Sequence, residues 1–219
     1  MAGTGVQWAG AQHDVLAGDV DGHVDLEALS WQGHLYALGP LEALRGEVSI
    51  FDGVPSIARI EREMVVTETT WRAHACFLVW AQVPEWFERQ SDAVVADLPG
   101  VEREAVALAG AAGLDSERPW PFRVRGTAVV ATFHVLDKRD GLPHNLERHE
   151  AAKVRQTLES EPVELVGFYS RGHRGIFTPG DSNVHVHLRT ADGRMSGHLE
   201  AIELAPGARI AVPKPDWRQ

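Results

Sequence analysis

Apolar and polar positions alternate along much of this chain, and Gly, Pro and Asp residues separate the alternating stretches. A period of two residues is typical of a β-strand that buries one of its faces. We expect the longest stretch to form a hairpin that bends at Gly126. The pattern predicts strands at 34–38, 46–53, 57–60, 64–67, 73–83, 122–135, 163–169, 185–188, 198–204 and 209–212.

Helical patterns are fewer and shorter than the strand patterns. They follow helix-start signals such as Pro84, and a glycine, Gly113, ends one of them. The first 22 residues are rich in Gly and Ala, and we expect an arm or an edge strand there. Helices are predicted at 24–29, 84–95, 101–112 and 147–158.

Strands dominate and do not alternate regularly with helices, which indicates an α+β fold with mixed or antiparallel sheets and interspersed helices. A chain of 219 residues is long enough for one large domain. We expect an N-terminal arm at 1–20 and a single domain at 21–219. Strand–turn–strand units near both ends permit two sheet-containing lobes within this domain, at about 21–120 and 121–212.

Two histidines lie two residues apart on one predicted strand near the C-terminal end. His185 and His187 should therefore share a face of that strand. A turn at 191–194 should return the chain so that His198 meets them. Three histidines with a fourth position left open are typical of a catalytic metal site, and Gly197 should remove a side chain beside it. The alternative is a solvated strand face with an unrelated third histidine.

Composition and charge narrow the classes of function. The formal net charge of −10 is spread along the chain, which argues against nucleic acid or an anionic membrane as a partner. The single cysteine, Cys76, excludes an internal disulfide and a cysteine-based zinc site, and its apolar surroundings predict a buried, inert thiol. Neither a leader sequence nor a membrane span is recognisable, so we expect a cytoplasmic protein.

Other charged residues have simpler interpretations from the pattern alone. Glu47 begins a core strand, where a solvated strand end is the usual explanation. Arg123 and Arg125 share a face, as expected of a solvated strand edge. His144 and His149 lie in a polar segment and are interpreted as surface residues.

Several motifs together resemble the α-acetolactate decarboxylase family. Near the C-terminal end the resemblance comprises Val-Gly-Phe at 166–168, Gly-Ile at 175–176, the His-x-His pair, and Ser-Gly-His at 196–198. The N-terminal part agrees independently. The matching stretches there and in the middle of the chain are 22–29, 35–39, 44–53 and, more weakly, 122–126.

The resemblance implies an enzyme that converts acetolactate to acetoin and CO₂ with a bound divalent metal, for which zinc is expected. It implies that His185, His187 and His198 hold the metal, that Glu47 protonates the enediolate carbon, and that Arg123 binds the substrate carboxylate or the enediolate. Three histidines would also accept Fe²⁺, Ni²⁺ or Mn²⁺. The implied partner is a small 2-hydroxy-3-oxo acid, and exposed strand edges favour a homodimer.

The chain departs from the family pattern in two places. Leu-Gly-Pro-Leu at 38–41 replaces a segment that resembles GTFN in the family. The family also brings a glutamate to the metal from a C-terminal tail, for which Asp216 is the candidate here. A different metal-dependent lyase or isomerase on the same scaffold, a non-enzymatic metal-binding module and, more weakly, a cupin-type oxygenase are the alternatives.

Overall fold

The structure is a computed structural model that describes residues 5–214 and Trp217. Strands make up most of it, and every pairing between them is antiparallel among these residues. The strands are β1 (Gln7–Ala9), β2 (Val24–Asp25), β3 (Leu35–Pro40), β4 (Glu47–Phe51), β5 (Val54–Glu61), β6 (Met64–Glu68), β7 (His74–Ala75), β8 (Leu78–Gln82), β9 (Trp86–Gln90), β10 (Trp120–Leu136), β11 (Lys153–Tyr169), β12 (Val184–Thr190), β13 (Ser196–Leu204) and β14 (Arg209–Pro213).

Helices are few, so the expected α+β class holds for its antiparallel sheets and only loosely for its interspersed helices. The described helices are α1 (Gln12–Ala17), α2 (Leu98–Ala111), α3 (Leu146–Ala151) and the short 3₁₀ turns Leu26–Leu29 and Glu42–Leu44. Among the described residues, no helix is long and apolar enough to cross a membrane.

Two six-stranded sheets form the body of the fold. The first sheet has the order β1-β8-β3-β4-β5-β6, and the second sheet has the order β11-β12-β13-β10-β14-β9. Because β10 also pairs with β11, the strands β10, β11, β12 and β13 close into a ring. Strands β2 and β7 form a separate pair. The lobe boundaries and the homodimer expected from exposed edges stay predictions.

Strand alternation decides which side chains lie between the two sheets. In β4, Val48 and Ile50 pack on the outer face of the first sheet, while Glu47, Ser49 and Phe51 point the other way, towards the second sheet. An apolar layer that includes residues of both sheets fills the space around these side chains. The polar face of β4 is therefore covered by the second sheet and hidden from water.

Two predicted helices are wrong in whole or in part. The segment 84–95 contains the strand β9, which pairs with the edge of β14. Its aromatic residues favour a strand, and β14 supplies the backbone partners. The segment 147–158 is helical only up to Ala151, and β11 begins at Lys153. Pairing with the long strand β10 outweighs the helical pattern there.

The predicted hairpin at 122–135 is also wrong, because β10 runs through Gly126 without a turn. Strand β10 pairs with β14 before Gly126 and with β13 after it. A Cβ atom on Gly126 would lie 3.1 Å from the Cβ of Ala208. Gly126 therefore marks the point where β10 exchanges one neighbour for another.

Other predicted elements agree with the structure. The first residues contain an edge strand, β1, which pairs with β8. The helix expected at 101–112 is α2, which starts earlier because the Asp97 carboxylate accepts a hydrogen bond of 2.6 Å from the Gly100 N–H. The short helix expected at 24–29 is a single 3₁₀ turn.

Candidate metal centre

The three histidines lie together on neighbouring strands of the second sheet. His185 and His187 project from the same face of β12, and His187 lies directly opposite His198 of β13. The nitrogen atoms that they offer all lie within 4.8 Å of one another. His185 and His187 are 2% and 0% exposed, so the alternative of a solvated strand face does not apply.

Hydrogen bonds to the outer nitrogen atoms orient two of the rings. His185 Nδ1 lies 2.9 Å from the Phe177 carbonyl oxygen, to which it can donate only when it carries the proton. His187 Nδ1 lies 3.0 Å from Ser49 Oγ on the first sheet. Partners of this kind hold metal-binding imidazoles in one tautomer and leave Nε2 with its lone pair.

Burial keeps the three imidazoles neutral. It lowers the pKa of His185 to about 4, and it lowers the pKa of His187 and His198 well below the usual range. Neutral imidazoles are the form that binds a metal. His185 Nε2 lies 3.1 Å from His198 Nδ1, and His187 Nε2 is buried with no hydrogen-bond partner among the described residues. This donor set fits a divalent cation.

Glu47 lies beside the triad and is not a solvated strand end. It is 1% exposed, and its Oε2 lies 3.8 Å from His187 Nε2. Its other oxygen, Oε1, has no hydrogen-bond partner within the described part of the chain. Burial raises the pKa of Glu47 well above its usual value, because removal from water favours the protonated form of the carboxyl group.

Arg123 is not brought into this group. Arg123 of β10 lies opposite Val166 of β11, and Val166 lies opposite His187 of β12. The backbones at Arg123 and His187 are therefore two strand spacings apart, roughly 10 Å. Its guanidinium lies 3.5 Å from Glu88 and 5.0 Å from the centre of the Trp86 ring. The role that the resemblance implies for Arg123 stays a prediction.

A cavity of about 180 Å³ opens beside His185, His198 and Glu47. A cavity of about 150 Å³ holds a molecule of the size of benzene, so this one accommodates a small organic acid. Helices α1 and α3 pack against each other, and both contribute residues to its lining. Its further lining includes Gln12, Val15, Phe77, His134, His149 and Lys153.

Sequence analysis missed the last three of these residues. His134 stacks on His198 with ring centres 4.6 Å apart, and its Nδ1 lies 2.9 Å from Glu200. It stands in an apolar stretch, where a histidine that lines a site cannot be distinguished from a core histidine. Lys153 fell in a segment predicted as helix. The surface interpretation of His144 is wrong, since it is buried beside His149, which lines the cavity.

The reason for Gly197 differs from the expectation. A Cβ atom there would lie 2.5 Å from the His134 carbonyl oxygen and 2.6 Å from the Phe133 ring. It would point to the face opposite His198, towards the core. Gly197 thus permits β13 to approach β10 closely rather than clearing space at the metal centre. Asp216, the candidate tail ligand, lies outside the described residues.

Comparison with known proteins identifies the fold. No family model matches this sequence, and no curated protein sequence matches it. The structure of acetolactate decarboxylase from Bacillus subtilis subspecies spizizenii matches with a TM-score of 0.80 at 16% identity, covering 96% of this chain and 86% of that one. Acetolactate decarboxylase from Bacillus subtilis strain 168 matches with a TM-score of 0.77 at 14% identity, covering 96% and 86%.

A Staphylococcus aureus protein of unknown function, described as similar to α-acetolactate decarboxylase, matches with a TM-score of 0.74 at 14% identity, covering 94% of this chain and 84% of that one. This chain therefore has the fold of acetolactate decarboxylase. The agreement confirms, for the fold, the resemblance drawn from the sequence motifs.

Proposed function

We propose that this protein is a metal-dependent decarboxylase that converts acetolactate, or a closely related 2-hydroxy-3-oxo acid, to a hydroxyketone and CO₂. The observation that carries the proposal is a cluster of three histidines, two buried and one partly buried, together with a buried glutamic acid, beside one small cavity. The fold shared with acetolactate decarboxylases supports the same reaction class.

His185, His187 and His198 would hold a divalent cation, for which Zn²⁺ is the expected ion. Three neutral ligands would leave the ion its full charge. When bound, the ion supplies a positive charge that stabilises the oxyanion developing as CO₂ departs. Ser49 and the Phe177 carbonyl contribute by orienting the rings.

Glu47 supplies the proton that completes the reaction. Loss of CO₂ leaves the electron pair of the broken C–C bond on the substrate as an enediolate. The protonated carboxyl of Glu47, whose Oε1 is unpaired among the described residues, gives its proton to the enediolate carbon and forms the neutral hydroxyketone. Glu47 then regains a proton from solvent, which balances the one proton that each turnover consumes.

The decisive experiment measures metal content and acetoin release on the same preparations. We expect the wild-type protein to purify with about one divalent ion per chain and to release acetoin from acetolactate, and we expect a chelator to remove both properties. His187→Ala should lose the ion and the activity. His74→Ala, which changes an exposed histidine outside the site, is the matched control. A metal-loaded wild-type protein that releases no CO₂ from any 2-hydroxy-3-oxo acid would refute the proposal.

One observation favours a related substrate as the second candidate. Pro40 lines the cavity, and it belongs to the segment at 38–41 that departs from the family pattern. A changed wall alters the space for the alkyl groups of the substrate. Comparing kcat/KM across 2-hydroxy-3-oxo acids with methyl, ethyl and larger substituents distinguishes acetolactate from a bulkier physiological acid. Localisation in the cytoplasm stays a prediction.

A further inference from the structure

Lys153 stands at the cavity but belongs to neither the metal ligands nor the proton donor. It is the first residue of β11, it pairs with Leu136 of β10, and its side chain is 15% exposed. It lines the same cavity as Glu47 and His198. Its ammonium group lies 4.0 Å from Glu200 Oε1, and the same oxygen lies 2.9 Å from Nδ1 of His134 in the cavity wall.

Lys153 pairs with two glutamates, and each of these glutamates also pairs with a second cationic side chain. Lys153 Nζ lies 2.5 Å from Glu150 Oε1 and 4.0 Å from Glu200 Oε1. Arg155 pairs with the other oxygen of each carboxylate, at 3.2 Å from Glu150 Oε2 and 2.8 Å from Glu200 Oε2. Both glutamates therefore keep a cationic partner when the flexible lysine side chain turns towards a ligand in the cavity.

A 2-hydroxy-3-oxo acid carries a carboxylate into this cavity, and burying that charge without a cationic partner is costly. Among the described residues that line the cavity, Lys153 is the one lysine or arginine. His185 and His198 in its wall are candidate metal ligands, and Glu47 is an acid. Arg123 is engaged with Glu88 and Trp86 on another part of the sheet.

We propose that Lys153 binds the substrate carboxylate through Nζ, the role that the family resemblance implies for Arg123. The inference rests on the function proposed above and names the residue that selects an acid over a neutral hydroxyketone. Once CO₂ has left, the contact has no anionic partner, so the neutral product is held less strongly than the substrate. A contact with the leaving carboxylate should affect KM more than kcat.

Binding of two unreactive probes to the zinc-loaded protein tests this proposal without turnover. The acid 2,3-dihydroxy-2-methylbutanoate keeps the carboxylate but lacks the keto group needed for decarboxylation, and acetoin lacks the carboxylate. In calorimetric titrations, Lys153→Met should weaken binding of the acid by about 10-fold to 100-fold, the range expected for a charged hydrogen bond. Binding of acetoin should change less than about twofold, and Lys153→Arg should restore most of the affinity for the acid.

Lys138→Met is the matched control, because Lys138 is also a mostly buried lysine paired with a carboxylate and is not among the described residues that line the cavity. We expect it to bind both probes like the wild type. If the wild type binds the acid and Lys153→Met binds it equally well, or loses the acid and acetoin to the same extent, the assignment of Lys153 is wrong while the proposed function stands. A wild type that neither binds the acid nor releases CO₂ from acetolactate overturns both.

Discussion

Glu47 and the triad histidines are polar side chains whose chemistry is changed by burial. The same removal from water raises the pKa of the acid and lowers the pKa of the imidazoles, because each group is disfavoured in its charged form. The result is a carboxyl group whose protonated form is favoured, beside three imidazoles whose neutral form is favoured. That combination suits the proton donor and the cation site that we propose within one small volume.

Replacing Glu47 by Gln tests its role as a proton donor. We expect turnover to fall by about 10²-fold to 10⁴-fold, the usual contribution of general acid catalysis, while the metal content stays that of the wild type. Acetoin release and elemental analysis on the same sample measure the two effects. Glu159→Gln, at an exposed glutamate of β11, serves as the control. Wild-type turnover in Glu47→Gln would exclude Glu47 as the donor.

The burial of Cys76 predicts how the free energy of unfolding changes at alkaline pH. Burial raises the pKa of its thiol from 9.0 to about 12, so the folded state favours the protonated form. The stabilisation is fully present below pH 9 and is lost as the pH rises towards 12, because the unfolded chain loses the proton first. The free energy of unfolding of the wild type should therefore fall more steeply over this range than that of Cys76→Ala. Parallel curves for the two proteins would contradict the assignment.

The candidate metal centre depends most strongly on the pairing register of β13 with its neighbours, β10 and β12. A slip of one residue in a strand would turn its side chains to the opposite face and carry His198 away from the other two histidines. The turn between β12 and β13 helps to hold the register, since the Asp192 carboxylate accepts a hydrogen bond of 3.0 Å from the Arg194 N–H. The close approach of β13 to β10 at Gly197 holds it from the other side.

The variant Gly197→Ala should therefore damage the fold and the site together. Its Cβ would meet backbone and an aromatic ring, and overpacking of this kind costs about 1–3 kcal/mol of the free energy of unfolding. We also expect weaker zinc binding, because His198 is the next residue. Denaturant unfolding and a zinc titration give the two values.

Gly110→Ala is the contrasting variant, since nothing lies within 4 Å of a Cβ built at this exposed position of α2. It should stabilise the protein by about 0.5–1 kcal/mol, because alanine loses less backbone entropy than glycine in a helix. Equal stability of the two alanine variants would contradict the steric interpretation of Gly197.

In the whole molecule, the candidate metal centre lies where the two sheets face each other. The triad belongs to the second sheet, whereas Glu47 and Ser49 come from the first sheet. The three nitrogen ligands converge only when β12 and β13 are paired. Metal binding should therefore favour the folded chain over the unfolded chain.

Removing the metal should lower the melting temperature, and restoring zinc should reverse the change. A ligand at a thousand times its dissociation constant adds about 4 kcal/mol to the free energy of unfolding, provided that it binds the folded state alone. Differential scanning fluorimetry with chelator and with added zinc measures the shift. His187→Ala should melt at the same temperature under both conditions. An identical melting temperature for chelated and zinc-loaded wild type would argue against a metal at this place.

Local patterns were enough to predict the parts of this protein that depend on strand periodicity. The shared face of His185 and His187 follows from a period of two, and the return of His198 follows from the turn signal at 191–194. The family motifs then predicted the fold, which the structural comparisons confirm. The histidine cluster could be predicted because β12 and β13 are joined by a short turn and pair with each other as neighbours in sequence.

Only the tertiary structure decided the features that depend on partners distant in sequence. The segment of β9 is a strand because the edge of β14 offers it backbone hydrogen-bond partners. Strand β10 continues straight through Gly126 because it pairs with β14 before this residue and with β13 after it. Lys153 reaches the cavity because β11 starts there instead of a helix. The sequence pattern of a segment indicates its preference for helix or strand. Packing determines which segments contact one another, and the chemistry of a buried site depends on those contacts.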